Sequence, residues 1–126
     1  MAAITESKLL KKMKEMGVDV EGTLSRFVNN DEIYIKFIIR FPNEDRMRLI
    51  WNAFETGNME EKIQTTHKLK GVSSNLGMTN ISEQCKTILD YLNQNADIDY
   101  KKLLEQLDKD YYIMCNEILN TNCDLS

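Results

Sequence analysis

The stretch that decides the fold is "THKLKGVSSNLG", residues 66–77, which carries the chain's single histidine and, one helical turn later, a glycine. Its apolar residues Leu69, Val72 and Leu76 recur at helical spacing. On a wheel of ~100° per residue they fall about 140° to 200° away from His67. The spacing therefore predicts a helix that buries this apolar stripe and exposes His67 on the opposite face.

The face around His67 carries small side chains. Gly71 and Ser74 lie about 40° and 20° from His67 on the same wheel. A lone glycine inside a helix costs about 1 kcal/mol relative to alanine, so it usually has a packing or functional reason. Ile63 and Gln64, about 40° and 60° from His67, complete a face on which Ile63 is expected to be exposed. These four neighbours are predicted to form a surface on which a partner docks.

An exposed imidazole, with an unperturbed pKa of about 6.5, is a good nucleophile near neutral pH. It can accept a phosphoryl group and hold it covalently. Lys70, about 60° away on the wheel, can offer positive charge to the phosphoryl oxygens. The chain has no glycine-rich phosphate loop that would bind ATP, so the phosphoryl group would have to come from another protein.

Three other interpretations of His67 stay open at this point. It can be an ordinary surface histidine. The chain can be a helical adaptor that binds a signalling partner without carrying phosphate. It can also be a hydrolase that uses His67 as a general base, although the expected partner carboxylate or nucleophile is missing nearby.

The rest of the chain predicts an all-α fold, since it has only five Gly and one Pro and few alternating patterns. Four long amphipathic helices with short polar loops favour an antiparallel up-down four-helix bundle. We expect one domain with a helical lead-in at residues 1–30, the bundle at 31–121 and a frayed tail at 122–126. Further helices are expected over residues 5–16, about 19–28, 31–41, 44–56, 58–76, 79–95 and from Asp97 or Asp99 onward.

Some expectations concern individual residues. Pro42 should either kink one helix or separate two helices, because proline lacks an N–H donor and clashes with the preceding turn. Asp19, Asp31 and Thr79 are predicted helix caps. The side chains predicted to point inward near the N-terminus are Leu24, Phe27 and Val28, followed by Ile33, Phe37, Ile38 and Phe41.

Composition narrows the class of protein. A net charge of −4 argues against a nucleic-acid binder, and no apolar run approaches the ~20 residues that cross a membrane. The charged N-terminus is not expected to be a signal peptide. The cysteines, Cys85, Cys115 and Cys123, are expected to be reduced packing residues in a cytoplasmic protein, with Cys123 exposed. No cofactor and no metal site is predicted, since there is one histidine and no CxxC spacing.

The opening stretch resembles the signature of histidine-containing phosphotransfer (HPt) domains, which follow the pattern H-x-L-K-G-x-S-x-x-L-G. Every fixed position is present in this chain, namely His67, Leu69, Lys70, Gly71, Ser73, Leu76 and Gly77. The segment "GVDVEGTLSRFVNNDEIYIKFIIRF" resembles the family's lead-in, and "ISEQCKTIL" its next helix. The resemblance covers residues 17 to 95.

The resemblance implies a four-helix bundle that serves as a phosphorelay intermediate and not as a stand-alone enzyme. Its expected partners are a response-regulator receiver domain, a histidine kinase, or both. By position, His67 would be phosphorylated, Lys70 would be the charge partner, and Gly71 would be the opening for the partner. Ser73 is expected to be structural. The exposed docking face fits a monomer. One position departs from the family pattern. Leu89 stands where many members carry a Gln or Glu that accepts a hydrogen bond from the imidazole.

Overall fold

The computed structural model describes residues 2–125, with side chains described at positions 8–121. The chain is 82% helical, and the described residues contain no strand. The all-α prediction is therefore confirmed. Over residues 2–125, seven α-helices follow one another, α1 (Ala2–Glu15), α2 (Val20–Arg26), α3 (Asp31–Arg40), α4 (Arg46–Thr56), α5 (Met59–Asn75), α6 (Thr79–Asn93) and α7 (Tyr100–Leu125).

Pro42 separates two helices, which is one of the two outcomes that its position predicted. Helix α3 ends at Arg40, and a 3₁₀ turn over Phe41–Asn43 places the proline at its start. Helix α4 begins at Arg46, two residues later than expected, because the Asp45 side chain accepts a hydrogen bond from the Arg48 N–H at 3.1 Å. The proline and the Asp45 cap together fix the boundary between α3 and α4.

Two of the predicted caps are wrong by one residue. Asn30, and not Asp31, caps α3 by accepting a hydrogen bond from the Ile33 N–H at 3.2 Å. Met78 occupies the cap position of α6 and makes no side-chain cap hydrogen bond, so Thr79 is the first helical residue. The Asp19 cap is confirmed by a 3.1 Å hydrogen bond from the Gly22 N–H.

The predicted inner face of α3 is partly wrong. Ile38 and Phe41 are buried, but Ile33 and Phe37 are 43% and 44% exposed. Tyr34 takes their place, because its hydroxyl donates a buried 2.8 Å hydrogen bond to the Leu76 carbonyl at the end of α5. With Tyr34 and Ile35 buried, Ile33 and Phe37 lie on the solvent side of the helix.

Of the side chains predicted to point inward from α2 and the turn after it, two do so and one does not. Leu24 and Phe27 are half-buried against the core, whereas Val28 is 87% exposed and has φ of 55° after the end of α2. The positive φ turns the chain between α2 and α3 and directs Val28 outward.

Contacts between helices define the arrangement. Helices α4, α5, α6 and α7 each contact the next, and α7 also contacts α4. Helices α1 and α3 cover α7, and α1 also contacts α2. Helix α7 continues through Leu125, so the frayed tail predicted from residue 122 is helical as far as that residue. Because the lead-in helices share the core with the later ones, α5 is held from several sides.

The turn between α5 and α6 requires glycine. Gly77 has φ of +78°, and a Cβ there would lie 2.7 Å from the Asp19 carbonyl oxygen and would also meet the Thr23 hydroxyl. The Asp19 N–H donates to the Gly77 carbonyl at 2.9 Å, so the two segments are in direct contact. This contact ties the lead-in to the end of α5.

Gly77→Ala should therefore destabilise the fold more than Gly17→Ala. Gly17 has φ of +86° but open space around a Cβ, so its substitution should cost only the backbone strain of about 1–2 kcal/mol. Gly77→Ala adds the clash with a backbone carbonyl and should cost roughly 1–2 kcal/mol more. Urea unfolding of both variants measures the difference, and equal losses of stability would contradict this account.

Candidate functional site

The opening stretch lies on the C-terminal half of α5. The helix begins after Asn58, whose side chain accepts a hydrogen bond from the Glu61 N–H at 2.9 Å, and Glu60 and Glu61 occupy its first turn, where negative charge is favourable. Its C-terminal cap is Leu76, directly before Gly77. His67 therefore stands in the middle of a well-capped helix, away from both of its ends.

The inward face of α5 is anchored by apolar and small polar side chains. Leu69 and Leu76 are buried and Val72 is half-buried against the core, as the wheel predicted. Ser73 is fully buried, and its hydroxyl donates a 2.7 Å hydrogen bond to the Leu69 carbonyl. The structural position expected for Ser73 is confirmed, and these contacts fix the rotation of the helix.

That rotation exposes His67 to solvent. Within the part of the chain whose side chains are described, no group forms a hydrogen bond with its imidazole. Both ring nitrogens are therefore accessible to a second molecule.

Gly71 opens the surface next to His67. A Cβ built at this position would meet no atom within 4 Å, so the glycine is not required by packing within the chain. Ser74 and Gln64 are exposed on the same side of the helix, and Gln64 donates to Glu60 at 3.2 Å. Ile63 corrects the sequence expectation, because it is half-buried against the core and not fully exposed.

Lys70 lies on the side of α5 that faces α6. It is half-buried, and its positive charge acts on the Cys85 thiol across the helix pair. Burial raises the pKa of Cys85 to about 12, and the charge of Lys70 opposes that rise. No carboxylate among the described side chains forms an ion pair with Lys70, so its charge is available to an anion at the surface.

Leu89 on α6 is buried, with 7% of its surface exposed. Its neighbours Lys86 and Asp90 are exposed and form an ion pair with each other at 3.4 Å. Neither forms a hydrogen bond with His67 in the described part of the chain, and no side chain of α6 there takes the place of the Gln or Glu that many family members carry.

The cysteines that can be examined are packing residues, as expected. Cys85 and Cys115 are buried free thiols, and burial raises their pKa values to about 12 and about 11. The side chain of Cys123 lies outside the described residues. Among the residues that the structure covers, no group of three or more His, Cys, Asp or Glu side chains could hold a metal ion.

The sequence did not reveal two features near this site. The hydroxyl of Thr66, next to His67, is fully buried and has no hydrogen-bond partner among the described residues. A groove lined by arginine and phenylalanine side chains lies beside the last turn of α5. In the sequence, the groove is indicated only by the aromatic and basic residues between positions 26 and 41. It was missed because the aromatic residues there were predicted to lie in the core.

The Hpt domain family model matches residues 43–116, which is more than half of the chain and includes the whole of α5. The chain therefore belongs to the Hpt domain family. Members of this family are phosphocarriers in two-component systems and not in general enzymes. No curated protein and no solved structure matches the chain. None of the helices in the described range is long and apolar enough to cross a membrane.

Proposed function

We propose that this chain is a phosphorelay carrier that accepts a phosphoryl group on His67 and passes it to an aspartate of a receiver domain. The observation that carries the proposal is an exposed imidazole on a rigid helix beside open space at Gly71. The donor is either a receiver-domain aspartyl phosphate or a histidine kinase. The chain contributes a positioned nucleophile and relies on its partner for the rest of the chemistry.

The chemical step balances without a further co-reactant. The lone pair of the unprotonated ring nitrogen attacks phosphorus, an N–P bond forms, and the bond from phosphorus to the donor's oxygen or nitrogen breaks. The leaving group keeps the electron pair, and the second ring nitrogen keeps its proton. Lys70 stabilises the negative charge on the phosphoryl oxygens. The reverse step, on a receiver aspartate, regenerates the free imidazole.

The surface around His67 would make contact with the partner. Ile63, Gln64, Gly71 and Ser74 surround the imidazole on the proposed docking face, in which Ile63 contributes only its exposed edge. The contacts among α4, α5, α6 and α7 support an antiparallel up-down bundle as the platform for this face. A single domain, a monomeric state and a cytoplasmic location complete the proposal.

The test uses the sole histidine of the chain as its own marker. The protein is incubated with a receiver domain that carries radiolabelled aspartyl phosphate, and the phosphate on the chain is then treated with acid and with base. Label that is lost in acid and retained in base indicates a phosphoramidate, as histidine phosphorylation requires. Label with the opposite stability, or no label from receivers and kinases alike, would overturn the proposal.

The adaptor alternative gives a different result in the same experiment. An adaptor would bind the receiver in a pull-down or titration and would take up no label. Binding without labelling would therefore replace the carrier with the adaptor.

Lys70→Gln should slow phosphoryl uptake about tenfold, which corresponds to ~1.4 kcal/mol of lost transition-state stabilisation. The matched control is Lys68→Gln, because Lys68 is an exposed lysine on the same helix, about 100° from His67. Uptake rates from a fixed concentration of phosphorylated receiver measure both effects. Equal slowing in the two variants would show that only overall charge matters and not the position of Lys70.

A further inference from the structure

A groove lies between the lead-in helices and the last turn of α5. Its walls come from α2, α3, the 3₁₀ turn, the start of α4 and the end of α5. It encloses about 740 Å³, which is within the range of about 300–1,000 Å³ that small-molecule sites occupy. Because several segments surround it, the groove is concave and not a flat docking surface.

Aromatic rings form the apolar part of the groove. Phe27, Phe37 and Phe41 line it. The ring of Phe37 is 44% exposed and lies 5.6 Å from the ring of Phe27. The two rings are tilted by 45° to each other, and Phe27 already stacks on Tyr34, so Phe37 is the ring that a planar ligand can pack against.

Three arginines supply positive charge to the same groove, and two of them are held in place. Arg26 donates to the Ser74 carbonyl at 3.1 Å and to the Thr23 hydroxyl at 3.2 Å. Arg46 donates to the Phe41 carbonyl at 3.0 Å. The backbone therefore fixes a guanidinium group at two separate points of the lining.

Arg40 is the third arginine and has the most freedom. Its guanidinium lies 5.8 Å from the centre of the Phe37 ring, and no carboxylate of the described residues pairs with it. The only carboxylate in the lining is Glu44, which forms an ion pair with Arg46 at 3.3 Å. The groove thus keeps excess positive charge in a chain whose net charge is −4.

We propose that this groove is a binding site for a small planar aromatic anion, whose ring packs against the exposed part of Phe37 while its acidic group meets the neighbouring guanidinium of Arg40. The planar fork of a guanidinium group suits a carboxylate, sulfonate or phosphate. His67 does not line the groove, so this proposal and the proposed phosphoryl transfer are tested by substitutions at different residues. Either can fail without the other.

The test uses two probes of similar shape, anilinonaphthalene sulfonate and the uncharged phenylnaphthylamine. Each probe is titrated with the protein, and its fluorescence measures binding. The sulfonate should bind the wild-type protein at one saturable site. Arg40→Gln should weaken sulfonate binding about tenfold, or ~1.4 kcal/mol, and leave the affinity for the neutral probe unchanged. Phe37→Ala should weaken binding of both probes, and amide chemical shift changes should concentrate at Val72, Asn75 and Leu76.

The controls are chosen outside the groove lining. Arg48→Gln and Leu49→Ala change exposed residues of α4, and His67→Gln changes the proposed phosphoryl acceptor. All three should bind the sulfonate like the wild type. Equal effects of Arg40→Gln and Arg48→Gln, or binding that never saturates, would overturn the proposal. A loss caused by His67→Gln would also overturn it. Circular dichroism of each variant verifies that the helices are intact.

Discussion

His67→Gln is expected to abolish phosphoryl uptake while leaving the fold unchanged. Glutamine has similar polarity but no ring nitrogen that can attack phosphorus. His67 is exposed and takes part in no hydrogen bond with the described side chains, so its replacement removes no contact from the core. Surface substitutions of this kind usually change stability by less than about 0.5 kcal/mol.

Two measurements check this expectation. Labelling with a phosphorylated receiver should fall to background in the variant, and the urea midpoint should match that of the wild type. Acid-labile label that persists in His67→Gln would move the phosphorylated group to another nitrogen, of a lysine or an arginine. A large loss of stability would show that the imidazole has a packing role that the structure does not indicate.

Gly71→Leu is expected to reduce phosphoryl transfer at least a hundredfold and still to stabilise the helix. A Cβ here meets no atom of the chain within 4 Å, so the first atom of the new side chain has room, and we expect the fold to tolerate the substitution. Replacing glycine inside a helix by a better helix former gains up to about 1 kcal/mol. The added side chain would occupy the space through which a partner aspartate reaches His67. A displacement of about 1 Å can cost on the order of a hundredfold in rate.

Comparison with Gly71→Ala and Lys68→Leu shows whether the loss of transfer comes from blocking the opening at Gly71 or from adding an apolar side chain anywhere on α5. Alanine should give a similar gain in stability with a much smaller loss of transfer, because a methyl group leaves most of the opening. Lys68→Leu places the same apolar side chain on another exposed side of α5 and should retain most of the transfer. Undiminished transfer in Gly71→Leu would show that the opening at Gly71 is not the route to His67. A loss of stability would show that the helix cannot accept a side chain there.

The sequence predicted α5 well because its periodic stripe is long and its boundaries carry local signals. Gly77 acts through backbone conformation and ends the helix as its residue type predicts. The helix was expected from residue 58, and the structure shows Asn58 as its N-cap, one residue before the first helical residue. The exposure of His67 followed from ~100° of rotation per residue. These predictions depend only on interactions within one helix and its ends.

The inner face of α3 shows where local reasoning failed. Ile33 and Phe37 are as apolar as the buried Ile35, so periodicity alone could not decide which of these positions would be buried beside Ile38. Their placement depends on the bond from Tyr34 to the carbonyl of Leu76, a residue 42 positions later. No pattern within α3 contains that information.

Residue order alone predicted an all-helical chain, a kink or a helix boundary at Pro42 and an outward histidine with a glycine beside it, because periodicity, proline geometry and glycine propensity are local properties. Three features follow only from how the helices pack: space is open at Gly71, Lys70 faces α6 near Cys85, and Arg26, Arg40 and Arg46 meet in one groove. Each of these features joins segments far apart in the chain. Long-range packing of whole helices sets such distances, and the order of residues along one helix does not.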